Sequence, residues 1–203
     1  MIPILDTKLI KPALVRLAEE KKASFFIQFG GQATGYIEEL RSLYEQYPLI
    51  RPLIEAADRE LSLRMQETEA VRSGLFARGL TLIHWLKNRE STPPAEYLSR
   101  STLSQPLIFV TQMAHYRAMI EYGEKNLLKY TQGVTGHSQG IMAAILVGQA
   151  LDEEAFEKRF LEIVRYFFWQ GIRMQQSYPE TTLPPALSEE SSQAGWGSPT
   201  PMA

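Results

Sequence analysis

Cysteine is absent from the 203-residue sequence, and there are only three histidines. Without thiols the chain has no disulfide framework, no thiolate zinc site and no cysteine nucleophile. The histidines available within the sequence for acid–base chemistry are His84, His115 and His137.

Long apolar runs and an excess of one charge are also missing. The longest strongly apolar run, IMAAILV at 141–147, is far shorter than the ~18 residues that suggest a membrane span. The amino terminus lacks the basic start and continuous apolar core of a signal peptide. The formal net charge is −2, with acids and bases interspersed, so neither nucleic acid nor an anionic membrane surface is indicated as a partner. We therefore expect a cytoplasmic protein, and a hydrophobic content of 44% suffices for one large domain or most of one.

Two segments have the features of buried strands that lead into turns. Residues 24–31, SFFIQFGG, form a short aromatic-rich run that ends in two glycines, and residues 130–136, YTQGVTG, precede a second turn. Each is followed by a helical pattern, which predicts an α/β layered fold with parallel strands and abundant helix. Two strands are too few for a complete sheet of this kind.

Apolar residues at helical spacing predict the remaining elements. Pro106 is placed in the first turn of its helix, and residues 88–97, which contain two prolines, are predicted as a loop. The predicted helices cover 8–22, 35–47, 50–62, 69–87, 104–123, 141–151 and 152–176.

The segment GHSQG at 136–140 matches the G-x-S-x-G nucleophile elbow. In that motif a serine occupies a sharp strand-to-helix turn with its hydroxyl exposed, and Gly136 and Gly140 leave room that side chains would fill. The following helix offers free N–H groups, so that of Gln139 is a candidate oxyanion donor. The same five residues also occur in structural turns, but the strand before and the helix after favour Ser138 as a nucleophile.

Neighbouring polar residues have simpler interpretations. His137 is adjacent to Ser138, and on so tight a turn its ring points elsewhere, so we expect a packing or orienting role rather than general-base catalysis. The acidic run at 152–154 suits the positive end of a helix better than a cation site. No metal site and no tightly bound cofactor are expected.

Four segments occur in an order and spacing that identify a family resemblance. They are FGGQ at 29–32, LSQPLIFVTQMAHY at 103–116, GVTGHSQG at 133–140 and YPETTLPPAL at 178–187. Together they resemble the N-terminal acyltransferase domain, or starter-unit transferase, of the β subunit of fungal-type fatty acid synthases and related bacterial type I synthases. The resemblance runs from about Phe25 to Met202.

The resemblance implies an α/β-hydrolase-like acyltransferase core. Residues 1–180 would be a partial α/β subdomain that lacks the family's ferredoxin-like subdomain. Residues 181–203, rich in proline, serine and small residues, have the composition of a linker or tail.

The family moves an acyl group from coenzyme A to the phosphopantetheine thiol of an acyl carrier protein through an acyl-serine. The resemblance makes Ser138 the nucleophile and the backbone N–H groups of Gln32 and Gln139 the oxyanion hole, with Gly30 and Gly31 allowing close approach to the substrate. Acyl-CoA would be a substrate, and the partners would be the carrier protein and the remainder of a type I synthase or a complementing chain.

Acyl specificity is predicted from the helix after the elbow. Malonyl-using acyltransferases carry there an arginine that pairs with the free carboxylate, and the matching position here is Gln170. A neutral amide favours an uncharged acyl group such as acetyl. Arg173, one turn further on, is either part of the pocket or a surface charge.

The sequence departs from the family at two points. The family's basic histidine lies downstream of the serine, whereas His84 and His115 precede it and have the features of helix packing or capping residues. Ala33 stands where glycine is usual. We therefore expect an acyltransferase whose base comes from elsewhere. The alternatives are a truncated relative that only binds, an acyl-thioester hydrolase that uses the same serine, and a non-catalytic scaffold domain of a synthase.

Overall fold

The structure is a computed structural model that describes residues 12–31 and 35–177. Two strands and nine α-helices are found in these ranges, with 3-10 turns at Pro48–Ile50, Arg89–Ser91 and Leu127–Tyr130. The strands are β1 (Phe25–Phe29) and β2 (Thr131–Gly136). The helices are α1 (Ala13–Glu19), α2 (Tyr36–Gln46), α3 (Arg51–Met65), α4 (Thr68–Ser73), α5 (Leu82–Lys87), α6 (Ala95–Leu98), α7 (Ser101–Tyr122), α8 (Gly140–Gly148) and α9 (Glu153–Ser177).

The two strands pair in parallel, as the sequence predicts. Ile27 lies opposite Val134, and Phe29 lies opposite Gly136. Both strands therefore end at the same edge, where the chain continues into a glycine turn after β1 and into the GHSQG turn after β2. The architecture is mostly helical with a two-stranded parallel sheet, which is compatible with the α/β class.

Helix α7 forms the centre of the hydrophobic core. Buried side chains lie on nearly all of its sides, and Phe109 stacks against Phe160 of α9 with ring centroids 5.7 Å apart. Helix α9 approaches closely because Gly171 has no side chain; a Cβ there would overlap the carbonyl oxygen of Ser101. Within residues 12–31 and 35–177, no helix combines the length and apolar character needed to cross a bilayer.

The prediction of one helix over 69–87 is wrong. Two short helices, α4 and α5, occupy this range, separated by an irregular segment that contains Gly74 and Gly79 with φ of +65° and +69°. Glycine adopts this left-handed backbone readily, and the first of the two ends α4 as its C-cap. Leu80 and Leu86 are nevertheless buried, because both the irregular segment and α5 pack against the core.

Three other boundaries differ from the predictions. Helix α7 begins at Ser101, so Pro106 lies in its second turn rather than its first. The predicted loop at 88–97 contains a 3-10 turn and the start of α6. Helix α1 ends at Glu19, before the predicted end at residue 22, and the predicted residues 8–11 lie outside the described ranges.

Part of the predicted division of the chain also lies outside the described residues. This concerns the tail at 181–203 and the last residues of the 1–180 unit.

The start of α9 is as expected, because the Asp152 carboxylate accepts a hydrogen bond of 2.9 Å from the Ala155 N–H.

Candidate active site

Ser138 lies on the turn between β2 and α8 and is exposed. Its φ is +53°, a left-handed conformation that non-glycine residues rarely adopt. Such a conformation typically costs ~1–3 kcal/mol and persists only where the surrounding structure imposes it. The turn thus presents the serine hydroxyl at the carboxyl edge of the sheet.

The two glycines of the GHSQG turn are required by close backbone contacts. A Cβ at Gly136 would overlap the carbonyl of Gly140 and lie 2.6 Å from the Ile141 nitrogen. A Cβ at Gly140 would overlap the carbonyl oxygen of Gly30 and lie 2.5 Å from that of Phe29. The turn can therefore close only with glycine at both positions.

The glycine turn after β1 lies directly against the serine turn. The His137 N–H donates a hydrogen bond of 3.0 Å to the Phe29 carbonyl. A Cβ at Gly31 would lie 3.1 Å from the His137 Nδ1 and 3.2 Å from the Ser138 Cβ. Two motifs separated by about a hundred residues in the sequence thus meet in space. Gln32, the predicted second oxyanion donor, follows Gly31 and lies outside the described residues.

Gln139 combines a buried side chain with a free backbone donor. Its side chain is 7% exposed and donates a hydrogen bond to the Gln105 carbonyl of α7. Among the described residues, the Gln139 N–H has no hydrogen-bond acceptor. A backbone N–H at a helix start next to an exposed serine is a suitable donor for a developing oxyanion.

Each of the three histidines has an identified neighbour other than the serine hydroxyl. The His84 Nδ1 lies 3.2 Å from the Asn88 Nδ2, and the His115 Nε2 lies 2.6 Å from a Glu39 carboxylate oxygen. The His137 ring lies beside Gly31. In the described part of the chain, no histidine is hydrogen-bonded to Ser138, and no group of three or more histidine or carboxylate side chains could hold a metal ion.

Gln170 and Arg173 lie together on α9, where they line an apolar groove of about 520 Å³ with Tyr166 and Trp169. The Arg173 guanidinium pairs with the Glu69 carboxylate and is 64% exposed. The Gln170 Oε1 is buried and has no hydrogen-bond partner in the described part of the chain. The GHSQG turn is not among the groove's described lining residues, so an acyl-pocket role for Gln170 and Arg173 stays a prediction.

Two glutamines of α7 were not singled out by the sequence analysis, although both contact the candidate site. Gln105 provides the carbonyl that binds the Gln139 side chain, and the Gln112 Nε2 donates a hydrogen bond of 2.6 Å to the Gly30 carbonyl. For Gln112 a signal was present in the sequence, because it is a long polar side chain in a mostly apolar segment. The contact at position 105 is made by the backbone carbonyl, so no residue type there could have indicated it.

Comparison with known proteins gives the family. The sequence model of the family described as "Starter unit:ACP transacylase in aflatoxin biosynthesis" matches residues 27–200. The chain is 35% identical over 196 residues to the fatty acid synthase subunit beta of Saccharomyces cerevisiae, an alignment that covers 94% of this chain and 10% of that protein. It is 34% identical over 205 residues to the fatty acid synthase beta subunit TOXC of Cochliobolus carbonum, which covers 97% of this chain and 10% of that protein.

A third similar protein is the fatty acid synthase beta subunit aflB of Emericella nidulans. The identity is 30% over 194 residues, covering 93% of this chain and 9% of that protein. The chain thus spans about a tenth of the length of these relatives. With a serine turn intact and a family match over most of its residues, the chain belongs to the starter unit:ACP transacylase family.

Proposed function

We propose that the chain is a starter-unit acyltransferase domain that transfers an acyl group from coenzyme A to an acyl carrier protein through Ser138. The observation that carries the proposal is the exposed serine at φ +53°, which touches the glycine turn that follows β1. The family match and the fatty acid synthase relatives support the same reaction class. The larger synthase and its carrier protein are the partners of this proposal.

The proposed reaction has two balanced steps. The Ser138 hydroxyl attacks the thioester carbonyl, loses its proton to a base, and the C–S bond breaks to release coenzyme A as its thiol. The thiol of the carrier protein then attacks the acyl-serine ester, and the serine oxygen regains a proton. This is covalent catalysis with a nucleophile, in which one thioester is exchanged for another.

Backbone N–H groups would stabilise the oxyanion formed in each step. The lack of an acceptor for the Gln139 N–H among the described residues supports it as one donor, and we propose that the Gln32 N–H is the second donor because it follows the glycine that contacts Ser138. Losing one such donor typically lowers the rate ~10²–10³-fold.

The base is proposed to be a residue other than the three histidines of this chain. General-base catalysis requires an imidazole within hydrogen-bond reach of the hydroxyl, directly or through one water. His84 and His115 are bound to Asn88 and Glu39, and the His137 ring lies beside Gly31. We propose that the synthase or a complementing chain contributes the histidine.

The acyl group is proposed to be uncharged. The position that carries an arginine in malonyl-using acyltransferases is Gln170 here, and a neutral amide cannot balance a carboxylate. The neighbouring Arg173 is paired with Glu69, which reduces its availability to a malonyl group. An acetyl or similar starter unit fits this arrangement better.

The experiment is intact-protein mass spectrometry of the full-length protein after incubation with acetyl-CoA or malonyl-CoA. We expect one acyl adduct from acetyl-CoA, a smaller yield from malonyl-CoA, and no adduct in Ser138→Ala. An adduct that persists in Ser138→Ala would exclude this nucleophile. Absence of any adduct in the unsubstituted protein, also when the synthase or complementing chain that supplies the base is present, would exclude the proposed activity. Free acid formed equally fast with and without carrier protein would identify a hydrolase instead.

A further inference from the structure

We infer that Gln112 is a positioning residue of the acyl-transfer site, which holds the Gly30–Gly31 turn in register with Ser138. The inference rests on the proposed function, because the turn leads into the proposed oxyanion donor Gln32. Gln112 lies on α7 and has no role assigned by the family resemblance stated above.

One hydrogen bond carries this role. The Gln112 Nε2 donates to the Gly30 carbonyl at 2.6 Å, and the Gln112 Oε1 is buried with no hydrogen-bond partner among the described residues. The orientation of the amide is therefore decided by Gly30, because a flipped amide would bring two acceptor oxygens together. The bond joins residues 82 positions apart in the sequence, so it fixes the turn to a distant element rather than to its own strand.

The turn needs such a contact because it has no side chains of its own to hold it. Two consecutive glycines have the greatest backbone freedom, and a Cβ on Gly30 would meet no atom of the described residues within 4 Å. The last fixed point on the strand is the Phe29 carbonyl, which is bound by the His137 N–H. Without the Gln112 bond, the Gly30 carbonyl would lose its side-chain hydrogen-bond donor. The peptide between Gly30 and Gly31 would then be oriented less firmly.

Helix α7 holds both turns at once. Gln105 binds the side chain of Gln139 on the serine turn, and Gln112 binds the turn after β1, two helical turns further along the same face. Phe109, between them, is fully buried and stacked against α9, so this part of α7 is a rigid support. Oxyanion donors act only within tenths of an ångström of the productive geometry, and a shared support can provide that precision.

The variant that tests the inference is Gln112→Met, which keeps the length of the side chain and removes the donor. We expect the kcat of Ser138 acylation by acetyl-CoA to fall about 10–100-fold, with KM changed less than about 3-fold, because the lost stabilisation is specific to the transition state. The matched control is Gln149→Met, the same exchange at an exposed residue after α8, which should leave both constants unchanged.

Hydrogen–deuterium exchange of the full-length protein supplies a second readout that does not depend on turnover. Peptides that cover residues 27–31 should exchange faster in Gln112→Met than in the unsubstituted protein, and no faster in Gln149→Met. All rates are normalised to the folded fraction from circular dichroism, so that simple unfolding cannot imitate the effect.

The outcomes separate this inference from the proposed function. If the unsubstituted protein forms acyl-Ser138 and Gln112→Met does so at the same rate with unchanged exchange, the inference is overturned and the proposed function stands. A fall in kcat that disappears once the rates are normalised to the folded fraction also overturns the inference. If the unsubstituted protein forms no acyl-Ser138 even with the chain that supplies the base, the proposed function fails, and unchanged exchange of residues 27–31 in Gln112→Met would overturn the contact of Gln112 with the turn separately.

Discussion

At the scale of single residues, the candidate site depends on where side chains are missing. Ser138 holds its left-handed backbone because the glycines beside it allow the serine turn to fold against the turn after β1. The carbonyls of Phe29 and Gly30 occupy the space that a side chain at Gly140 would need. Gly148, at the other end of α8, has no such constraint, because a Cβ there would meet no atom of the described residues within 4 Å.

This difference gives a matched pair of substitutions on one helix. Gly140→Ala should lower the free energy of unfolding by at least about 1–3 kcal/mol, because the carbonyls of Phe29 and Gly30 are backbone groups and cannot move away as a flexible side chain would. Gly148→Ala should leave stability unchanged or raise it by up to about 1 kcal/mol, because alanine favours the helix.

Urea unfolding followed by circular dichroism measures both variants. Equal stability of Gly140→Ala and Gly148→Ala would contradict the close approach of the two turns. It would also weaken the argument that the Gly30–Gly31 turn lies against Ser138.

At the level of secondary-structure elements, the start of α5, within the range 69–87 that was predicted as one helix, is bound by a carboxylate from another helix. The Asp58 Oδ1 of α3 accepts a hydrogen bond of 3.3 Å from the Ile83 N–H in the first turn of α5. Burial raises the pKa of the Asp58 carboxyl above its usual range, although backbone hydrogen bonds from Ile83 and Leu82 act in the opposite direction. The desolvation cost of the ionised Asp58 carboxylate thus exceeds the stabilisation that it gains from these backbone hydrogen bonds.

The sign of this shift predicts how Asp58→Asn responds to pH. A carboxyl whose pKa is higher in the folded state destabilises that state when ionised, and the cost disappears as the pH falls below the pKa of the unfolded chain, ~3.9. Asn keeps an acceptor oxygen and carries no charge. Asp58→Asn should therefore be more stable than the unsubstituted protein at pH 7, and the difference should shrink toward zero near pH 3.

The control is Asp152→Asn at the start of α9, where the carboxylate is exposed and accepts from the Ala155 N–H. No gain in stability is expected for it at pH 7, since water already solvates that charge. A stability difference for Asp58→Asn that does not change with pH would contradict the assignment to ionisation.

At the scale of the whole molecule, the helices cover the sheet and α8 unevenly. Helix α8 is apolar throughout, and its Leu146 is 1% exposed, whereas the neighbouring Ile145 is 47% exposed. On β1, Phe26 is 66% exposed while Ile27 is buried. Parallel sheets are usually covered on both faces, so the apolar content of these elements exceeds what the described residues bury.

Adjacent residues of α8 test this arrangement. Leu146→Ala should destabilise the 203-residue chain by about 2–5 kcal/mol, because it opens a cavity in the core. Ile145→Ala should cost less than about 1 kcal/mol, since half of its surface is already in water and alanine favours the helix. Thermal or urea unfolding compares the two, and equal losses would mean that another segment covers Ile145.

How far the sequence predicts this molecule depends on whether neighbouring residues decide the conformation. The strands at 25–29 and 131–136 were found because short apolar runs ended by glycine have few alternatives. The range 69–87 was predicted wrongly because a helical spacing of apolar residues continues through Gly74 and Gly79. The spacing of apolar residues does not reveal that the backbone φ of these two glycines is positive. The contact of Gln112 with Gly30 was not predicted, since it depends on how α7 lies across the sheet.

The serine turn, the parallel strands and the family could be predicted from the sequence alone. They follow from local sterics, from strand and helix periodicity, and from four segments in fixed order. The contact between the Gly30–Gly31 turn and Ser138, and the binding of both turns by one face of α7, became evident only from the folded chain. They arise because the register of Phe29 opposite Gly136 aligns the two strand ends, and α7 packs across them through contacts between residues distant in the chain. Such contacts depend on the packing of the whole core, which no local pattern specifies.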